Sequence, residues 1–223
     1  VALPFHAGMR PYQSVAFQFS HHVMEANGEV RHVGQFLCAE PGVFPNYAFA
    51  RALMRELCDD EGTVFIWSHH ENTILNAISR QLMEDENPPD DREELLDFLK
   101  RLTKGGDRAM VDLCNLAGRA YFHPDTQGSS SIKKVLPAIL KGSDLLKSKY
   151  SRPIYGAPGG MASLNFESSD GFAWIDVSAD GTVSDPYGKL KDLARELLPA
   201  EIDAGDASII AEGGAAATAY ARL

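Results

Sequence analysis

Hydrophobic and polar residues alternate along residues 14–24, which is the pattern of a half-buried β-strand. Asn27 and Gly28 follow, and this dipeptide is a strong signal for a two-residue hairpin turn. Residues 30–38 then predict the returning strand. One face of the first strand would carry Val15, Phe17, Phe19 and His21. We therefore expect the chain to open with an antiparallel hairpin.

The spacing of apolar residues then changes to three or four, which predicts helices over 46–58, 71–84 and about 91–102. Asn46 has the side chain of a helix N-cap and is predicted to cap the first of them. Between the first two helices, residues 63–67 form a short apolar run that is typical of a buried strand.

The second half of the chain alternates less regularly. Residues 108–121 begin like a strand and continue as a helix, and 131–140 predict a short helix. Glycine, proline, serine and aromatic residues dominate 150–187, and we interpret 143–185 as an irregular insertion with one hairpin. Helices are expected again over 186–198 and 213–223. This mixed order predicts a three-layer α/β sheet and not a uniform βαβ array.

Composition narrows the class of protein. The chain has 223 residues, of which 44% are hydrophobic and 23% charged, as expected for one sizeable globular domain. No apolar run is long enough for a membrane helix, no signal peptide is apparent, and three widely spaced cysteines without a CxxC motif indicate reduced thiols in a cytoplasmic protein. The net charge of −10 disfavours a passive nucleic-acid coat but suits a carboxylate-rich metal-dependent nuclease.

The segment 67–71, Trp-Ser-His-His-Glu, lies where a buried strand gives way to a helix. Sites in α/β sheets are built at the carboxyl ends of strands. The Glu71 carboxylate suits Mg²⁺ or Mn²⁺, whereas the imidazoles of His69 and His70 prefer Zn²⁺. The alternative is that Glu71 only stabilises the first turn of the helix through the helix dipole.

His123, Ser131, Lys133 and Lys134 are the candidate substrate-binding residues of a second site. Ser131 is the predicted N-cap of a helix that has Lys133 and Lys134 in its first turn. Cations there oppose the helix dipole, so their presence favours a phosphate-binding role for this helix start. The alternative is a solvated basic face. Residues 133–152 form the only strongly basic stretch, with Lys133, Lys134, Lys141, Lys147, Lys149 and Arg152 against a single acid, Asp144.

Asp112 is a third candidate, because it follows Val111 at the end of a strand-like run; the alternative is a cap or turn residue. Asp176 is weaker. Other enzyme classes lack a signature: there is no GxSxG motif of a serine hydrolase, no GxGxxG after a strand, and no P-loop.

Four stretches resemble a bacterial family of uncharacterised domains. They are GMRPYQSVAFQFSHHV at 8–23, YFHPDTQGSSSIKKVLP at 121–137, PIYG at 153–156 and GGAA at 213–216. The likeness covers nearly the whole chain and the motifs are long, so the resemblance is specific.

That family is similar to the DEDD-type 3′–5′ exonucleases, which have a ribonuclease-H-like fold and often follow a RecB-like PD-(D/E)XK nuclease domain in the same polypeptide. The resemblance implies four carboxylates that hold two Mg²⁺ or Mn²⁺ ions, and the 3′ end of DNA or RNA as substrate. Glu71 would be the metal-binding carboxylate of the middle motif, and Asp112 matches a recurrent acidic position after it. His70 departs from the pattern, since an aromatic residue such as Phe is usual there.

The resemblance further implies that 1–223 is a fragment of one exonuclease-like domain, with 143–185 inserted in it. The first motif, Asp-x-Glu, would lie before Val1, and the last, a Tyr followed four residues later by Asp, beyond Leu223. The first residue is also not Met. We therefore expect the isolated fragment to be inactive, because Glu71, even with Asp112, cannot hold two metals.

Two alternatives come from other classes. One is a non-catalytic module that binds nucleic acid or acts as a scaffold within a larger nuclease. The other is a zinc-dependent hydrolase that uses His69, His70 and a further histidine such as His123.

Overall fold

A computed structural model describes residues 9–165 and 170–197, together with His6 and Tyr220. The chain divides into two units, which are described separately below. Unit 1 comprises Val1–Ser20 and Gly34–Phe122, and unit 2 comprises His21–Val33 and His123–Leu223. Helices and short strands alternate through the chain, so the predicted mixed α/β class is confirmed.

The chain opens with the predicted hairpin, in which β1 (Gln18–Met24) pairs with β2 (Val30–Leu37). The predicted two-residue turn is wrong. The Glu25 N–H donates to the Glu29 carbonyl at 2.8 Å, so three residues lie between this closing pair. Gly28 has φ of 82°, the left-handed conformation that a three-residue hairpin loop requires at its last position.

Unit 1 is built on three helices, α1 (Asn46–Leu57), α2 (His70–Glu84) and α3 (Arg92–Leu102). Their bounds lie within one residue of the predicted ones, because each carries a continuous apolar stripe. The helices pack on one another through these stripes. The fully buried members of this core are Ala50, Ile78, Leu82, Leu95, Leu99 and Leu102.

Two short parallel strands lie beside these helices. β3 (Phe65–Ile66) pairs with β4 (Val111–Asp112), with Phe65 opposite Val111 and Ile66 opposite Asp112. α4 (Leu113–Ala120) follows β4 directly, as the strand-to-helix pattern predicts. In the described part of the chain the strands form two separate two-stranded sheets, and the three-layer sheet stays a prediction.

The predicted N-cap role of Asn46 is wrong. α1 begins at Asn46 itself, and Pro45 occupies the cap position. The Asn46 side chain is fully buried, where its Oδ1 accepts from the Ala16 N–H at 2.7 Å. Its Nδ2 donates to the Ser14 carbonyl at 3.0 Å and to Gln81 Oε1. Asn46 therefore ties the segment before β1 to two helices.

Unit 2 contains a 3-10 turn at Pro124–Thr126 and the helices α5 (Ile132–Gly142), α6 (Asp144–Tyr150) and α7 (Pro186–Leu197). α5 and α7 match the predicted helices. The interpretation of 143–185 as irregular throughout is wrong at its start, because α6 occupies Asp144–Tyr150. The Ser143 hydroxyl accepts from the Leu146 N–H at 3.3 Å, and this N-cap starts the helix.

Between α6 and α7 the described residues are irregular, as predicted, with an antiparallel bridge between Tyr155 and Phe172 and another between Val177 and Val183. The predicted C-terminal helix over 213–223 lies outside the described residues, apart from Tyr220. Of the helices that the structure describes, none has both the length and the apolar character to cross a bilayer.

Candidate functional site

Glu71 lies in the first turn of α2, immediately after the turn that leaves β3. Its side chain is exposed, as are those of His69 and His70. His69 occupies the N-cap position of α2 without making a side-chain capping hydrogen bond. The structure thus presents the Glu71 carboxylate to solvent at the carboxyl end of a strand, where the sequence placed it.

Asp112 lies at the carboxyl end of the neighbouring parallel strand, and its Oδ1 accepts three backbone hydrogen bonds. Two come from the N–H groups of Cys114 at 2.9 Å and Asn115 at 3.2 Å, so Asp112 is the N-cap of α4. The third comes from the Ser68 N–H at 3.0 Å. One carboxylate oxygen therefore joins the start of α4 to the β3–α2 connection.

Ser68 occupies a strained conformation at this connection. Its φ of 86° lies in the left-handed region, which a residue with a Cβ rarely adopts. The hydrogen bond from Ser68 to Asp112 holds that conformation, and Glu71 is three residues further along. Asp112 is consequently a positioning residue for the backbone that presents Glu71.

Asp112→Ala is expected to lower the free energy of unfolding by about 2 kcal/mol, because a helix cap is lost and the Ser68 N–H loses its acceptor. Urea denaturation measures this difference. Asp112→Asn is the matched control, since its amide oxygen can still accept these bonds and should keep most of the stability. Equal destabilisation by both substitutions would contradict this role.

The candidate metal ligands do not form a ready-made cluster. Across residues 9–165 and 170–197, no group of three or more His, Cys, Asp or Glu side chains is arranged to hold a metal ion. His69 and His70, which the zinc alternative uses, therefore belong to no such group among these residues. Glu71 offers carboxylate oxygens, which fit Mg²⁺ or Mn²⁺ as one ligand of a larger set.

The second candidate site lies at the start of α5 in unit 2. Ser131 occupies the N-cap position, as predicted, but its side chain makes no capping hydrogen bond. Lys133 and Lys134 lie in the first turn, and all three side chains are exposed. The Ser131 N–H donates to Ser129 Oγ at 3.2 Å, which shapes the loop before the helix.

His123 lies at the other end of α5. Its Nδ1 accepts from the Asp125 N–H at 3.2 Å and caps the 3-10 turn. A Cβ atom built on Gly142, the last residue of α5, would lie 3.9 Å from His123 Nε2. The length of α5, roughly 15 Å at the usual helical rise, thus separates His123 from Ser131. The structure does not gather the four predicted substrate-binding residues at one point.

Acidic partners offset part of the charge of the basic stretch 133–152. Lys141 Nζ lies 2.6 Å from Asp125 Oδ2, and this ammonium lowers the pKa of the Asp125 carboxyl. Lys147 Nζ lies 2.9 Å from Asp144 Oδ1. Lys141 and Lys147 therefore each have an acidic partner within this stretch or beside it.

A cluster in unit 2 was missed at the level of sequence. The rings of His22 and His32 stack with centroids 4.7 Å apart, and His22 Nε2 lies 2.7 Å from the Tyr155 hydroxyl. The buried His32 accepts from the Leu164 N–H through Nδ1 at 3.1 Å. No sequence pattern joins residues so far apart, because only the folded chain brings them together.

Partial burial and the nearby His32 and His21 lower the pKa of His22 below its ordinary value of 6.5. The unfolded chain therefore binds a proton at His22 before the folded chain does as the pH falls. The contribution of the neutral His22 to the free energy of unfolding should be fully present above about pH 6.5 and should decline as the pH falls below it. The melting temperature of the parent protein should therefore fall between about pH 7.5 and about pH 5, a range that spans the ordinary histidine pKa. In His22→Gln this fall should be smaller. An equal fall of the melting temperature in the parent protein and in His22→Gln would contradict this role of His22.

The fold and this site define a mixed α/β domain with an exposed carboxylate at paired strand ends. The family described as "Domain of unknown function (DUF2779)" matches residues 1–131, more than half of the chain, and the chain belongs to this family. The predicted membership in a family of uncharacterised domains is thus confirmed. No curated protein and no solved structure shows significant similarity to the chain.

Proposed function

We propose that this protein acts on nucleic acid as a metal-dependent 3′–5′ exonuclease of the DEDD type, on a ribonuclease-H-like fold. The observation that supports it best is the pairing of β3 with β4. Their carboxyl ends adjoin, one leading to Glu71 and the other to Asp112, and a hydrogen bond from Ser68 to Asp112 joins them. This is the place where α/β folds assemble catalytic groups.

Glu71 is the proposed metal-binding carboxylate. A bound Mg²⁺ or Mn²⁺ ion would activate water and offset negative charge at the phosphodiester. Asp112 contributes by fixing the Ser68 backbone, and its Oδ1 is already occupied by three N–H donors. The exposed position of Glu71 keeps its oxygens accessible to an ion and to a substrate phosphate.

The start of α5 is the proposed phosphate contact. The uncompensated N–H groups of a helix start attract anions, and Lys133 and Lys134 add positive charge there. Ser131 keeps its hydroxyl out of capping, which suits a hydrogen bond to a phosphate oxygen. The 3′ end of DNA or RNA is the proposed substrate, and a RecB-like nuclease domain in the same polypeptide is the proposed partner.

The direct test is a cleavage assay on the product of the intact gene. Single-stranded DNA and RNA labelled at the 5′ end should shorten stepwise from the 3′ end with Mg²⁺ or Mn²⁺, and EDTA should stop the reaction. Endonucleolytic products would overturn the proposed reaction. Tight binding without cleavage under any of these metals would instead favour the non-catalytic nucleic-acid-binding module.

A further inference from the structure

The segment 10–13 of unit 1 is a β-turn with an unusual residue at its third position. The Gln13 N–H donates to the Arg10 carbonyl at 3.2 Å, and Pro11 occupies the second position. Tyr12 has φ of 64°, in the left-handed region. A turn with proline second and a left-handed third residue is of type II, which favours glycine or asparagine there.

Burial does not explain the tyrosine. The Tyr12 side chain is 79% exposed, so its ring gains little from packing to offset the backbone strain. An exposed ring in a conformation that suits glycine is therefore unexplained by folding alone.

The turn is fixed firmly to the rest of unit 1. Arg10 Nη1 lies 2.6 Å from Glu84 Oε2 on α2. The Ser14 carbonyl accepts from Gln81 Nε2 and from Asn46 Nδ2, each at 3.0 Å. These contacts on both sides of Tyr12 hold its backbone in place and keep the ring on the surface.

A polar cleft of 240 Å³ lies beside the ring. Its charged lining consists of Arg10 and Arg80 against one carboxylate, Glu84. A second pocket shares Arg10 and Glu84 but adds Asp85 and Glu86 to its lining. A phosphate would avoid that acidic pocket and enter the cleft on the Arg80 side.

We propose that Tyr12 and this cleft bind single-stranded nucleic acid, with the Tyr12 ring stacked on an unpaired base and Arg80 in contact with a phosphate. The inference rests on the proposed function and adds a binding site to it. Aromatic rings beside cationic side chains are the usual means of holding single strands, and stacking tolerates any base. Duplex DNA should bind more weakly at this cleft, because its bases are already stacked and paired.

The experiment measures the affinity of the intact gene product for a fluorescein-labelled oligothymidylate by anisotropy, with EDTA present to prevent cleavage. Tyr12→Gly should weaken binding about ten-fold through lost stacking. Its melting temperature should be equal or higher, because glycine relieves the left-handed strain. Tyr12→Trp should retain the affinity. Arg80→Ala should weaken binding. It should also reduce the slope of log affinity against log salt concentration by about one, the value of one lost phosphate contact.

The outcomes separate this inference from the proposed function. If the parent protein binds the oligonucleotide and Tyr12→Gly binds equally well, the cleft assignment is overturned and the exonuclease proposal is untouched. If the parent protein binds no single strand, both fail. A blunt duplex that binds as tightly as the single strand, with the same loss on Tyr12→Gly, would overturn the stacking role.

Discussion

Glu71→Gln in the product of the intact gene is expected to lower metal-dependent phosphodiester hydrolysis by about 100-fold or more, since even outer-shell partners of metal ligands cost about 10- to 100-fold when they are removed. The substitution keeps the size of the side chain and removes its charge. Because the side chain is exposed in the first turn of α2, the fold should tolerate the change. Initial rates at saturating Mn²⁺, compared with those of the parent protein, measure the effect.

Glu94→Gln is the matched control for Glu71. Glu94 is likewise an exposed acid in the first turn of a helix of unit 1, so both carboxylates interact with a helix dipole. Each substitution should change stability by only about 0.5 kcal/mol, whereas only Glu71→Gln should affect cleavage. Undiminished cleavage by Glu71→Gln would remove Glu71 from the catalytic site and leave only its effect on the helix.

Asn46→Ala is expected to lower the free energy of unfolding by about 3 kcal/mol. The side chain is fully buried and serves the Ala16 N–H, the Ser14 carbonyl and Gln81. Removing it leaves the buried Ala16 N–H without its acceptor and opens a small cavity. Urea denaturation monitored by circular dichroism gives the change directly.

Asn76→Ala provides the comparison for Asn46. Asn76 is exposed on α2, where its Nδ2 donates only to the Asn72 carbonyl one turn earlier. Its replacement should change stability by less than about 0.5 kcal/mol. Similar losses at Asn46 and Asn76 would show that the buried hydrogen bonds of Asn46 contribute little to the stability of unit 1.

The helices of unit 1 could be predicted from sequence because their signal is local. Apolar residues three and four apart fix which face of α1, α2 or α3 is buried, and each bound lies within one residue of its prediction. α6 was missed because a helix of seven residues carries too few turns for periodicity to stand out in a glycine- and serine-rich stretch.

The two acidic candidates differ in how far sequence could take them. The place of Glu71 after a buried strand follows from the order of residues alone. For Asp112 the sequence left two alternatives, a helix cap and a site residue. In the structure one side chain does both, because the oxygen that caps α4 also accepts from the Ser68 N–H beside Glu71. That bond spans 44 residues and depends on the parallel pairing of β3 with β4.

Sequence by itself determined the α/β class, the helices of unit 1, the position of Glu71 at a strand end and the family resemblance, since these depend on local periodicity and on motifs. The tertiary structure alone decided that Asn46 is a buried link, that His22 stacks on His32, and that Tyr12 and Arg80 line the same cleft. Each of these pairs residues far apart in the chain. Their contacts arise only when the helices pack and the chain closes on itself, and no local pattern encodes that geometry.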